Sequence, residues 1–222
     1  MMAINFNRKS PAVYDHKYQA PRTPLPSRVI PRDAATILPA ADVFCYPVDG
    51  PLDMPFGKGS YAGFSDIFRY KLLYGEGGWY SDMDVTCLKP PLFETEYVFR
   101  SHWQFPTVGN IMRCPRGSEL MRRCYEVAKE AVTPQNREWN LPIRILNEQV
   151  SRLGLEPFIR QDICNSDSPA ELRELLTGTK PIPREWHFVH WCAALGGWVG
   201  GEGVNWNMEQ GIMAASSRQF EN

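Results

Sequence analysis

Asp82 and Asp84 are separated by one residue, a spacing that by itself suggests a chemistry. In an extended chain, residues two apart point to the same side, so both carboxylates can converge on one spot. Two carboxylates on one side repel unless something positive lies between them. A hard divalent cation meets that need, because Mg²⁺ or Mn²⁺ is held by one or two carboxylates together with substrate phosphates. The neighbours Tyr80, Met83 and Val85 predict a strand end entering a loop, which is where open α/β sheets bind ligands. The triplet alone is also met as a solvated strand end, so its surroundings decide.

The element upstream reads as a helix beginning near Ser60. Phe64, Ile67, Phe68, Leu72 and Leu73 recur at spacings of three and four, and Gly75 is the expected stop. On that helix Asp66 and Arg69 lie three residues apart, hence on one face. Gly77-Gly78 makes a turn, and Trp79-Tyr80 opens a strand that is expected to run through Asp82-Met83-Asp84-Val85. A helix feeding straight into a strand through glycines brings Asp66, Arg69, Asp82 and Asp84 together. A surface ion pair between Asp66 and Arg69 would contribute little and would not account for the paired carboxylates that follow.

The run from Phe64 to Asp84 resembles the S-D-x-x-R…G-G-x-Y-x-D-x-D signature. That signature belongs to glycosyltransferases with the DXD sugar-binding motif. These are the capsular-polysaccharide and initiating-mannosyl type, with the glucosylating bacterial toxins as distant relatives. The resemblance implies a GT-A fold: a Rossmann-like sheet, flanked by helices, that binds a nucleotide diphosphate sugar with Mn²⁺ or Mg²⁺. It implies that Asp84 ligates the metal directly and that Asp82 contacts the sugar or ribose and the metal's water shell. Ser65, Asp66 and Arg69 would belong to the donor-sugar site, with Tyr80 and Gly78 lining it. His190-Trp191 followed by Trp198 is similar to the late H-W…W element that closes the donor site. There His190 is either a metal or diphosphate ligand or a histidine packed beside tryptophans. Asn110 matches a strand asparagine near the acceptor side. His187 is three residues from His190, and in a strand that spacing sends the two to opposite faces.

The beginning of the chain does not fit this pattern. Relatives open with a strand that carries an I-P-x-x-I-H-x-x-W type element and supports the nucleobase, whereas here no tryptophan precedes Trp79. Residues 1–32 contain Pro11, Pro21, Pro24, Pro26 and Pro31 and read as an extended arm, with the usual first strand missing. Residues 33–222 are read as one catalytic domain.

The remaining elements alternate. Asp33–Leu38 reads as a short helical turn, Val43–Tyr46 as a buried strand, and Tyr97–Phe99 and Val108–Met112 as two further strands. Helices are expected over 118–131 and 143–153 and from Ser168, where Pro169 and Glu171 suggest a capping box. A strand is expected over 186–191, and a helix over the last fifteen residues. The pattern is α/β, with helices on the faces of a sheet.

Composition sets the outer bounds. The 222 residues are 43% hydrophobic and 22% charged, with a formal net charge of −1. No basic run argues for nucleic acid, and no stretch has the roughly 18 apolar residues of a membrane span. The six cysteines form no C-x-x-C pair, which suits reduced thiols and a cytoplasmic location. The reading is therefore a metal-dependent transferase that moves sugar from a nucleotide diphosphate sugar, UDP-linked by expectation, to a glycan or other hydroxyl acceptor. Two alternatives stand beside it: a relative that binds sugar nucleotides without turnover, and a metal-dependent phosphoesterase. The latter would want ligands for a second metal.

Overall fold

The computed structural model describes residues 34–54, 57–82 and 84–192. The arm at 1–32 with its missing first strand, Trp198 and the helix expected at the C-terminus lie outside the described residues. Among the described residues are four α-helices: α1 (Ala62–Glu76), α2 (Glu119–Ala131), α3 (Leu141–Arg152) and α4 (Pro169–Thr177). Six strands accompany them: β1 (Gly78–Ser81), β2 (Val85–Cys87), β3 (Val98–Arg100), β4 (Ile111–Cys114), β5 (Ile159–Arg160) and β6 (Phe188–His190). A four-stranded sheet runs β1-β4-β3-β5, and β2 and β6 form a separate two-stranded ribbon. The sheet is mixed: β1·β4 and β3·β4 are antiparallel, and β3·β5 is parallel. This mixed α/β arrangement with flanking helices is compatible with a GT-A-like fold.

Strand alternation decides which side chain meets which layer. On one face of the sheet, Phe99, Met112 and Cys114 pack against α1, α2 and α3 through Phe68, Leu72, Leu73, Met121, Cys124 and Leu146. The alternate residues Val98 and Ile111 pack on the other face with Ile163, Cys164 and Phe188. A third cluster seats Leu175 of α4 against Trp186, Val189 and Trp191. The site lies where the helix-covered sheet and the ribbon meet.

Several expectations need correction. The helix does not stop at Gly75; it runs to Glu76 and ends at Gly77, whose positive φ of 65° favours glycine and whose N–H donates to Leu73 O at 2.9 Å. Val43–Tyr46 is extended but joins no sheet, because Tyr46 exchanges backbone bonds with Gly59 and Ser60 instead. At α4, Ser168 accepts from the Glu171 N–H as a cap should, yet the Glu171 carboxylate reaches past it to the N–H and Oγ of Ser166. β5 had no signal, since two residues of ladder are too short for periodicity to register.

The strand through the two aspartates is also not continuous. β1 ends at Ser81, and β2, in the other sheet, begins at Val85. Asp82 still extends the β4 ladder, its N–H donating to Asn110 O at 2.9 Å, whereas the Asp84 carbonyl accepts from Trp191 N–H at 2.9 Å beside β6. The chain changes hydrogen-bonding partner between the two acids, and that break replaces the simple alternation expected from sequence.

Candidate active site

Helix and strand geometry explains why Asp82 meets Arg69. Positive φ at Gly77 and Gly78 (65° and 84°) reverses the chain at the end of α1. From Gly78 to Asp82 the chain climbs about 13 Å at 3.3 Å per residue. From Gly77 back to Arg69, α1 covers about 12 Å at 1.5 Å per residue. Asp82 therefore comes level with Arg69. The guanidinium spans two carboxylates, with Nη1 2.7 Å from Asp66 Oδ1 and Nη2 3.1 Å from Asp82 Oδ1. The Tyr80 hydroxyl donates to the same Asp82 oxygen at 2.7 Å, and its ring lies 4.7 Å beneath the guanidinium carbon.

Arg69 and Asp66 are not the surface pair that sequence spacing alone allows: their side chains are 8% and 15% exposed. Burial pushes the Asp66 carboxyl up to about 6 against the pull of Arg69, with Asp82 adding to the rise. Arg69 is committed to Asp66, Asp82 and Tyr80, so the geometry makes it the residue that holds Asp82 in place. Space for it comes from Gly109, where any Cβ would overlap Arg69 Nη1. Gly109→Ala is therefore expected to displace the guanidinium, cost about 1–3 kcal/mol of stability through overpacking, and weaken Mn²⁺ binding. Thermal melts with Mn²⁺ titration check this, and an unchanged affinity would contradict it.

The second half of the site comes from the ribbon. Its antiparallel register sets Val85 opposite His190, so the histidine falls beside Asp84. His190 Nε2 lies 3.4 Å from Asp84 Oδ1, and its Nδ1 lies 2.9 Å from Asp167 Oδ2 and 3.1 Å from Cys192 Sγ. Burial acts against the charged imidazole, but Asp167, Asp84 and Cys192 outweigh it and raise its pKa well above the ordinary value. His187 points elsewhere, its ring 4.7 Å from that of Phe93, as the strand spacing predicts.

Sequence reasoning missed the groups behind His190. Arg100, at 0% exposure, donates Nη1 to Asp167 Oδ1 at 3.1 Å and to Asn165 O at 2.9 Å, and its Nη2 pairs with Asp167 Oδ2. The Asn165 side chain accepts the His190 N–H at 2.8 Å and donates to the His190 carbonyl at 2.9 Å, standing in for another strand at that residue. Asp167 and Cys192 have φ of 68° and 49°, the only positive values outside glycine among the described residues. Both touch the same His190 nitrogen. Such backbone is unfavourable for a side-chain-bearing residue and persists only where its surroundings enforce it. No motif spacing announces these partners; a lone buried Arg in an apolar strand, Arg100 in Val98-Phe99-Arg100, was the available hint.

The two halves join at Asp82, Asp84 and His190, whose ligand atoms lie within 4.8 Å of one another. Ligands bonded at about 2.1 Å to one octahedral ion stand about 3.0 Å (adjacent) to 4.2 Å (opposite) apart, so small side-chain rotations close this set on a cation. Two carboxylates and an imidazole held through its other nitrogen by a carboxylate are a donor set that fits a divalent metal. The other expected residues separate. Asn110 supplies its carbonyl to Asp82 and keeps a buried Oδ1 with no partner among the described residues. Gly78 is exposed at the turn, about 13 Å along the strand from Asp82. The Ser65 N–H donates to Tyr61 O in the first turn of α1.

Residues 57–102, from the approach to α1 through β3, match the family model described as the glycosyltransferase sugar-binding region containing DXD motif. The match covers about a fifth of the chain and supports a relation to the glycosyltransferase family over that segment, which carries Asp66, Arg69, Asp82 and Asp84. No curated protein and no solved structure matches the chain. No helix among the described residues is long and apolar enough to cross a membrane.

Proposed function

We propose that this chain is a metal-dependent glycosyltransferase that moves a sugar from a nucleotide diphosphate sugar, UDP-linked in our reading, to a hydroxyl of a glycan or similar acceptor. The observation that carries the proposal is the convergence of Asp82, Asp84 and His190 from two different sheets, with Arg69 and Asp167 holding the outer two. Residues 33–222 act as one catalytic domain, with a Rossmann-like nucleotide side to the sheet.

Asp84 and His190 would hold the cation directly, His190 giving up its Nε2 proton as the ion binds, and Asp82 would complete the set or orient its water and the donor sugar. The mixed oxygen and nitrogen donors favour Mn²⁺ over Mg²⁺, which takes oxygen almost exclusively. When bound, the cation neutralises the departing diphosphate. The chain's own residues do the rest. Arg69 and Tyr80 fix one oxygen of Asp82, leaving its other oxygen for the ion or the sugar. Asp167 and Asn165 fix the His190 ring and backbone, so that Nε2 faces Asp84. Asp66 and Ser65 stand on the α1 side, where the donor's hydroxyls would lie.

Arg69→Lys is expected to lower turnover by about 10²-fold although the charge is kept, since one ammonium cannot bridge Asp66 and Asp82 as the guanidinium fork does. Wild-type kcat and donor KM in that variant would show that Asp82 needs no such clamp. The direct test of the reading is a screen of nucleotide sugars for Mn²⁺-dependent donor hydrolysis, alongside calorimetric titration of UDP with Mn²⁺. Binding without hydrolysis would identify a non-catalytic relative; binding of neither would remove the donor site.

A further inference from the structure

The link between β3 and β4 is attached to both halves of the site. At its start, Arg100 pairs with Asp167, which holds His190; at its end, Gly109 packs on Arg69 and Asn110 accepts the Asp82 N–H. In between, the backbone is pinned. Thr107 Oγ1 donates to Arg100 O at 2.7 Å and closes the loop's base, and the Asn147 amide of α3 bonds both N–H and C=O of Thr107 at 3.0 and 2.9 Å. Trp103 N–H donates to Ser166 O at 3.0 Å, beside Asp167. A loop tied at these points is held in a fixed position beside both halves of the site and forms a rim there.

That rim is aromatic. His102 stacks on Phe105 with centroids 5.5 Å apart, Trp103 lies 6.3 Å from His102, and Trp139 from the α2–α3 connection meets Phe105 edge-on at 6.3 Å. His102 also approaches the carboxylate behind His190, its Nε2 3.9 Å from Asp167 Oδ2, and burial holds its pKa down at about 4, so the ring is neutral at ordinary pH. Trp103 is 49% exposed although its backbone is fixed. A tryptophan held half in water by a tied loop is poorly used by the fold, and rigid aromatic surface of this kind is what binding sites employ.

Resting on the donor reading above, the geometry points to this rim, with Trp103 as its solvent-facing end, as the subsite for the acceptor, and to an acceptor that presents a pyranose ring. The C–H face of a pyranose is apolar and carries slight positive charge, matching the negative face of an aromatic ring, while its hydroxyls remain in water or reach Gln104. A nucleobase is the weaker occupant. The donor's diphosphate is drawn into the buried Asp84–His190 end, whereas Trp103 faces solvent, where an acceptor arrives and leaves.

The experiment uses the full chain with Mg²⁺ and observes methyl and octyl glycosides of glucose, galactose and mannose by saturation-transfer NMR, with and without UDP; UDP affinity is measured separately by calorimetry. Saturation should fall on the ring C–H protons of at least one glycoside. Trp103→Ala should weaken that binding about tenfold and leave UDP affinity within about twofold, while Trp103→Phe should retain most of it. Being half exposed, Trp103 can be replaced without loss of fold, which a thermal melt verifies. Three results would overturn the assignment: no glycoside binding by the wild type, binding indifferent to Trp103→Ala, or loss of UDP affinity in its place. Because glycosides are also tested without UDP, failure of the donor reading registers separately, as absent UDP binding.

Discussion

Asp84→Ala is expected to reduce metal-dependent turnover by at least about 10³-fold while the fold survives. Asp84 is the carboxylate aimed at His190 Nε2, and it shares the ligand cluster with Asp82 and His190. Its carbonyl accepts from Trp191 N–H at 2.9 Å, a bond alanine keeps, and His190, which loses the Asp84 carboxylate, retains Asp167. In the metal-free protein, removing one of two neighbouring acids relieves its repulsion with Asp82, which offsets the lost pairing with His190. The melting temperature without metal should therefore stay near the wild-type value, while the rise on adding Mn²⁺ disappears. Mn²⁺ affinity by electron paramagnetic resonance and turnover on the donor identified by the hydrolysis screen are the two measurements. Full turnover by a folded Asp84→Ala chain would eliminate the cluster as the metal site.

The largest stability effect should come from Asp167→Ala. Burial opposes ionisation of Asp167, but Arg100 and His190 more than compensate and hold its pKa below the usual carboxylate range. Its side chain is 5% exposed and that of Arg100 is 1% exposed, so alanine leaves a guanidinium charge deep in the protein without a counter-charge. Breaking such a pair costs about 3–5 kcal/mol, or roughly 10 °C in melting temperature for a chain of this size. Arg100→Met in the same background should recover part of the loss, because no unpaired buried charge then remains. The sign with pH follows from the depressed pKa. The contribution of Asp167 is fully present above the unfolded carboxylate value of about 3.9 and fades as pH falls below it. Wild type and Asp167→Ala should thus converge in acid and differ most near neutrality. His190 would also lose the carboxylate that orients its ring, lowering Mn²⁺ affinity by about 10–100-fold. A variant melting within about 2 °C of wild type at neutral pH would show the pair to be energetically idle.

The local half of the site was written in the sequence. The apolar spacing from Phe64 to Leu73 builds α1, Gly77-Gly78 turns it back, and both counts are short enough for helix and strand rise to bring Arg69 level with Asp82. Sequence also supplied the alternating α/β pattern, the Ser168 cap and the candidacy of His190. Local signals have this reach because hydrogen-bond period, turn geometry and capping act over a few residues. Tertiary structure alone decided the other half. Only the pairing of β2 with β6 places His190 against Asp84, and only the switch of partner between Asn110 and Trp191 breaks the strand between the two acids. The Arg100–Asp167 pair and the Asn165 clamp join residues whose spacing carries no period and no motif. A buried charge is stable only where a partner meets it, and which partner does so depends on how sheet and ribbon close on each other.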